Sequence, residues 1–201
     1  MSDKNSLSER QRGLETEYFR KKEQELIEKM RRRAALAEER QQMAEATGVA
    51  DQEVLEALQE LGYTAMTIRL MPIVPLVQVA WAEGGVTANE RKLLLEIAEA
   101  RGITPGTPAY DQLVGWLERE PPQEFYDNTL RGLRILLEAI PDDLREESRR
   151  SLVEYCAQIA EVSGGILGFG KFSDDERKLI ARIATEIGQT RAAAVKKVIE
   201  E

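Results

Sequence analysis

Residues 79–102 read VAWAEGGVTANERKLLLEIAEARG, and residues 159–188 read IAEVSGGILGFGKFSDDERKLIARIATEIG. Aligned on ERKL, Thr87 matches Ser173, Glu90 matches Glu176 and Gly102 matches Gly188. A glycine pair precedes each turn, at 84–85 and at 164–165, and the second turn is six residues longer. Two amphipathic helices agree in part by composition alone. Agreement of cap, turn and terminal glycine at once is better explained by a duplicated helix–turn–helix unit. Thr87-x-x-Glu90 and Ser173-x-x-Glu176 are both capping boxes, in which hydroxyl and carboxylate satisfy orphan N–H groups at a helix start. The repeat therefore predicts helices on both sides of two glycine-rich turns.

The neighbouring sequence extends this helical reading. Asp51 caps DQEVLEALQELG, which Gly62 closes. Thr64 opens TAMTIRLMPIVPLVQVAWAEGG, apolar nearly all round and so expected at the centre of the core. Pro72 and Pro75 leave two readings of that stretch, a break near residue 70 or a kink at Pro72. Thr107-Pro108 starts another helix, QEFYDNTLRGLRILLEAI follows Pro121-Pro122, and Pro141 precedes DDLREESRRSLVEYCAQIAEVSGG. Thr190 starts TRAAAVKKVIEE. No stretch alternates with period two for long enough to suggest a strand. The expectation is an all-α duplicated bundle over 48–201, with seven or eight helices joined by short loops.

Residues 1–47 read differently. From residue 8 to about 46 there is no proline, and Gly13 is the lone glycine. Ile27, Met30, Ala34, Ala37 and Ala44 form one narrow apolar seam. An alanine-rich seam buries little area, so this is expected to be a long helical arm, a coiled-coil strand or a helix that folds on a partner. Residues 9–42 carry ten basic and eight acidic side chains, while the whole chain is at −8. The arm stretch is thus +2 and the remainder −10.

Composition narrows the function classes. The 201 residues are 42% apolar and 32% charged, as expected of a folded chain. The acidic balance argues against nucleic acid as partner. No histidine is present, which removes imidazole acid–base chemistry and His-containing zinc sites. A carboxylate-bridged di-iron bundle would need Glu-x-x-His. The single cysteine, Cys156, lies in VEYCAQIA and reads as a small buried apolar residue. No apolar run approaches the ~20 residues of a membrane span, and a cytoplasmic location is the default expectation. The expectation is a protein without enzymatic activity.

The turns hold the candidate site. Glu83 and Glu90 flank the first; Glu161, Asp174, Asp175 and Glu176 flank the second. Carboxylates converging at a turn suit a hard cation such as Ca2+ or Mg2+. The same residues also serve as caps and as first-turn acids favoured by the helix dipole, and both readings stand. Trp81 and Trp116 are expected in packing. Tyr110, Phe125 and Tyr126, beside proline junctions, could line a groove between the halves. GGILGFG at 164–170 lacks the Lys-Ser/Thr of a phosphate loop and reads as a turn that tucks Ile166, Leu167 and Phe169 inward, with Lys171 neutralising the aspartates.

AEGGVTANE at 82–90 resembles the hallmark of the tellurite-resistance TerB-like family, which includes the N-terminal domain of membrane-anchored DnaJ-type co-chaperones. That hallmark runs ADG, a short gap, a small hydroxyl residue, two residues and Glu. AEVSGG…FSDDE resembles the degenerate second half, and the likeness covers about residues 64–188. It implies an all-helical bundle of two related units, a cation-binding acidic site and a stress-related adaptor role. Glu83 stands where the family has Asp, and Gly85 where an acid is frequent, so fewer oxygens converge here. LETEYFRKKEQELIEKMRRR at 14–33 looks like the inhibitory helix of F-type ATP synthase inhibitor proteins, which would give Glu15, Tyr18, Phe19 and Arg20 a partner-binding role. Alternatively Tyr18 and Phe19 dock the arm on the bundle or on a second copy, making a homodimer.

Overall fold

The computed structural model describes residues 3–163 and 172–188, with side chains given from Glu17 to Val162 and from Phe172 to Gly188. Helix α1 spans Asp3–Thr47, α2 Gln52–Glu60, α3 Val74–Ala80, α4 Ala88–Ala100 and α5 Pro108–Glu118. Helix α6 spans Gln123–Glu138, α7 Asp142–Ser163 and α8 Asp174–Glu186, with one 3-10 turn at Ile68–Leu70. Among the described residues there is no strand, and the architecture is an all-α helical bundle. No helix among them is long and apolar enough to cross a membrane. The expected turn at 164–171 and the helix at 190–201 lie outside the described residues.

The chain forms two compact units, one ending at Gln41 and the other starting at Gln42. In the first, every side chain from Glu17 to Glu38 is exposed. Lys22 pairs with Glu25 at 3.0 Å, and the Tyr18 and Phe19 rings meet edge-on at 5.9 Å. The second unit takes in the last residues of α1, where Met43 is fully buried and Thr47 Oγ1 donates to the Met43 carbonyl.

Local chemistry sets the ends of the bundle helices. Asp51 Oδ1 accepts from the Glu53 and Val54 amides, and Thr107 Oγ1 accepts from Tyr110. At the end of α4, Gly102 takes φ +78, its amide donates to the Glu99 carbonyl, and Ile103 donates back to Ala98. This is the paired 5→2 and 6→1 arrangement that a left-handed glycine permits, and Ile103 is buried by it. Arg145 closes α6 by donating to the carbonyls of Leu137 and Ile140 at 2.8 and 3.0 Å.

The proline ambiguity resolves as a break. Leu70 ends the 3-10 turn, Pro72 lies in the following turn, and α3 starts at Val74. Pro75 occupies the first helical turn, where its missing N–H leaves no helical bond unmade.

All seven residues of α3 are buried, Gln78 included. Helices α4, α6, α7 and α8 pack around it. Cys156 on α7 is fully buried, and that burial pushes its thiol up to about 12, which keeps it protonated and inert. Tyr63, just after α2, donates to Thr129 Oγ1 on α6, which itself donates to the Phe125 carbonyl. Burial raises the Tyr63 hydroxyl, and the Thr129 bond opposes that rise.

Candidate functional site

Helices α4 and α8 begin alike. Thr87 and Ser173 are both extended, at φ/ψ −71/162 and −62/158. Thr87 Oγ1 accepts from the Glu90 amide at 3.3 Å, and Glu90 Oε2 accepts from the Thr87 amide at 2.7 Å. Ser173 Oγ accepts from the Glu176 amide at 3.2 Å, and Glu176 Oε2 accepts from the Ser173 amide at 2.7 Å. Both boxes read from the sequence are formed.

What a capping box does not require is burial. Glu90 is 2% exposed and Glu176 is 1% exposed, and they are the charged residues buried among the described ones. A carboxylate out of water is costly unless it is hydrogen-bonded or paired. The cap bonds offset part of that cost and not all of it at Glu90. Burial raises the Glu90 carboxyl above its ordinary range, against the lowering effect of the Thr87 backbone and side-chain bonds. The negative charges of Glu176 and Glu83 raise it further. Glu90 therefore lies within the fields of Glu83 and Glu176, although Glu90 and Glu176 are 86 residues apart in sequence.

The other candidates are not part of this pair. Glu83, Glu161, Asp174 and Asp175 are exposed. Asp174 pairs with Arg177 at 3.8 Å and Asp175 with Lys178 at 3.3 Å, each one turn along α8. Lys171, expected beside the aspartates, lies outside the described residues. Among the described residues, no group of three or more Asp, Glu, Cys or His side chains is placed to hold a metal ion. Glu15 lies within α1 but its side chain is outside the described set; Tyr18 and Phe19 are 58% and 67% exposed, and Arg20 is exposed too.

The aromatic residues are mainly in packing. Trp81 Nε1 donates to the Trp116 carbonyl at 2.9 Å, and Trp116 meets Phe125 at 5.0 Å between ring centres. Phe125 and Trp116 do line a surface groove with Pro121 and Pro122, whereas Tyr126 is buried and Tyr110 half-buried. Gln78 was not singled out by sequence. Its Oε1 is buried without a hydrogen-bond partner. The signal was there, a lone amide in the apolar run MPIVPLVQVAW.

The raised Glu90 carboxyl gives a signed pH expectation. The folded state holds this proton more tightly than the unfolded chain does. Between the ordinary carboxyl range and the raised one, the folded state therefore binds more protons, and stability falls as pH rises. Glu90→Gln keeps the capping box, since Gln serves at that position. In urea melts with chelator present, E90Q is expected to match wild type at about pH 4 and to exceed it at about pH 7. A difference that does not grow with rising pH would show that burial does not penalise the carboxylate.

No protein-family model, curated protein or solved structure matches this chain.

Proposed function

We propose that the chain is a non-enzymatic TerB-like adaptor, built on a duplication of 79–102 and 159–188, whose acidic bundle binds a protein partner under the control of a divalent cation. In this reading Ca2+ or Mg2+ sits between Glu90 and Glu176, with water completing the oxygen shell. The observation that carries it is the burial of both cap glutamates, with the charge of Glu176 adding to the rise of the Glu90 carboxyl. A cation would offset two like charges held out of water. It would also tie the start of α4 to the start of α8, so that occupancy is felt by both halves. The partner would then read the bundle surface with the cation bound.

The test is thermal unfolding of the full chain with and without millimolar Ca2+ or Mg2+. A cation present at about 100 times its dissociation constant stabilises the folded state by about 2.7 kcal/mol. Wild type is expected to show such a rise in Tm. The double variant E90Q/E176Q keeps both capping boxes and is expected to lose the rise. Equal melting of wild type with and without both ions, or a rise that survives in the double variant, would leave the glutamates as caps only.

A further inference from the structure

We infer that residues 19–37 of α1 pair with the same residues of a second copy of this chain, as an antiparallel two-helix coiled coil. Every side chain from Glu17 to Glu38 is exposed, including Phe19 at 67%, Leu26 at 58% and Met30 at 63%. Single exposed apolar residues are ordinary; Phe19, Leu26, Met30 and Ala37 on one stripe of a helix are not. Phe19, Glu23, Leu26, Met30, Arg33 and Ala37 follow one another at steps of four and three. That is the spacing of the facing positions in a coiled coil, and it covers about 27 Å of helix.

The two charged members of the seam decide the partner and the direction. In a parallel pair Glu23 faces Glu23 and Arg33 faces Arg33, two like-charge layers in the interface. Run antiparallel, Glu23 faces Arg33 of the second copy and Arg33 faces its Glu23. The same register sets Leu26 against Met30 and Phe19 against Ala37, each twice. Two apolar layers then lie at the centre, an ion-paired layer on each side, and a large-on-small layer at each end. Ile27 flanks the centre opposite its own copy. Lys29 does the same on the other flank, where solvent screens the repulsion. A seam that complements itself in charge and in size, in one direction only, points to a second copy rather than to an unrelated helix. Polar seam residues of this kind set register and orientation at some expense of affinity, so the dimer is reversible. Each dimer carries two acidic bundles and can engage a partner twice.

Sedimentation equilibrium of the full chain across a range of concentrations tests this. Wild type is expected to move from its 22.7 kDa monomer mass to twice that value. Glu23→Arg alone or Arg33→Glu alone turns two ion-paired layers into like-charge layers and should weaken the dimer by about tenfold or more. The combined exchange E23R/R33E restores opposite charges only in the antiparallel arrangement, and should restore dimerisation. All three variants change exposed positions. A wild type that stays monomeric overturns the inference. So does undiminished dimerisation of the single variants, which would make the pairing parallel or place the interface elsewhere, or a combined variant as weak as weakened single ones, which would put Glu23 and Arg33 out of this register. None of these outcomes bears on the cation reading, which rests on Glu90 and Glu176.

Discussion

Changing Leu76 to Ala is expected to remove about 2–5 kcal/mol of stability, the range for emptying a well-packed leucine site. Leu76 is 1% exposed, in the middle of a helix with no solvent face. Four helices pack around α3, so the hole cannot be closed by moving one neighbour without disturbing another. Domains of this size are typically stable by only about 5–15 kcal/mol, so the loss would be a large share of the total. Leu144→Ala is the control. Leu144 is half-exposed on α7, and its loss is expected to stay within about 0.5 kcal/mol. Urea unfolding of both variants measures the contrast. Similar losses at the two sites would mean that α3 is not the centre of the fold.

Removing both helix caps together, Thr87→Ala with Ser173→Ala, is expected to cost about 2 kcal/mol, with each cap contributing about 0.5–2. The physical reason is specific to these two starts. Each hydroxyl accepts the amide of a glutamate that is itself buried, so its loss strands a donor where water does not readily replace it. Asp51→Ala, at a cap whose partners are exposed, is the comparison and should cost less. The double variant also measures coupling. Independent sites add to within a few tenths of a kcal/mol, whereas groups that share an electrostatic environment depart from additivity by about 0.5 kcal/mol or more. Glu90 feels the charge of Glu176, so non-additive losses are expected. Strict additivity would separate the two caps energetically and weaken the case for one shared site.

The residues that start helices were legible because caps act locally. Asp51, Thr87, Thr107 and Ser173 each accept amides two or three residues ahead, so the bond is written within a single turn of sequence. Prolines were less legible. Pro75 in a first turn and Pro72 at a kink leave the same trace in an apolar run, and only the course of the chain between Leu70 and Val74 separates them. The acidic residues were least legible. Six carboxylates around the two turns looked equivalent as ligands, because an Asp or Glu near a helix start has the same local roles whether it faces water or the core.

The sequence by itself determined that this chain is helical, where most of its helices start and stop, and that its N-terminal stretch differs in charge and apolar content from the rest. These are properties of neighbouring residues and of their spacing along a helix. Only the tertiary structure decided which carboxylates are buried. It buried Glu90 and Glu176, left Glu83, Glu161, Asp174 and Asp175 exposed, and set Glu90 within the field of Glu176. Burial and long-range charge depend on what packs from elsewhere in the chain, and no capping motif contains that information.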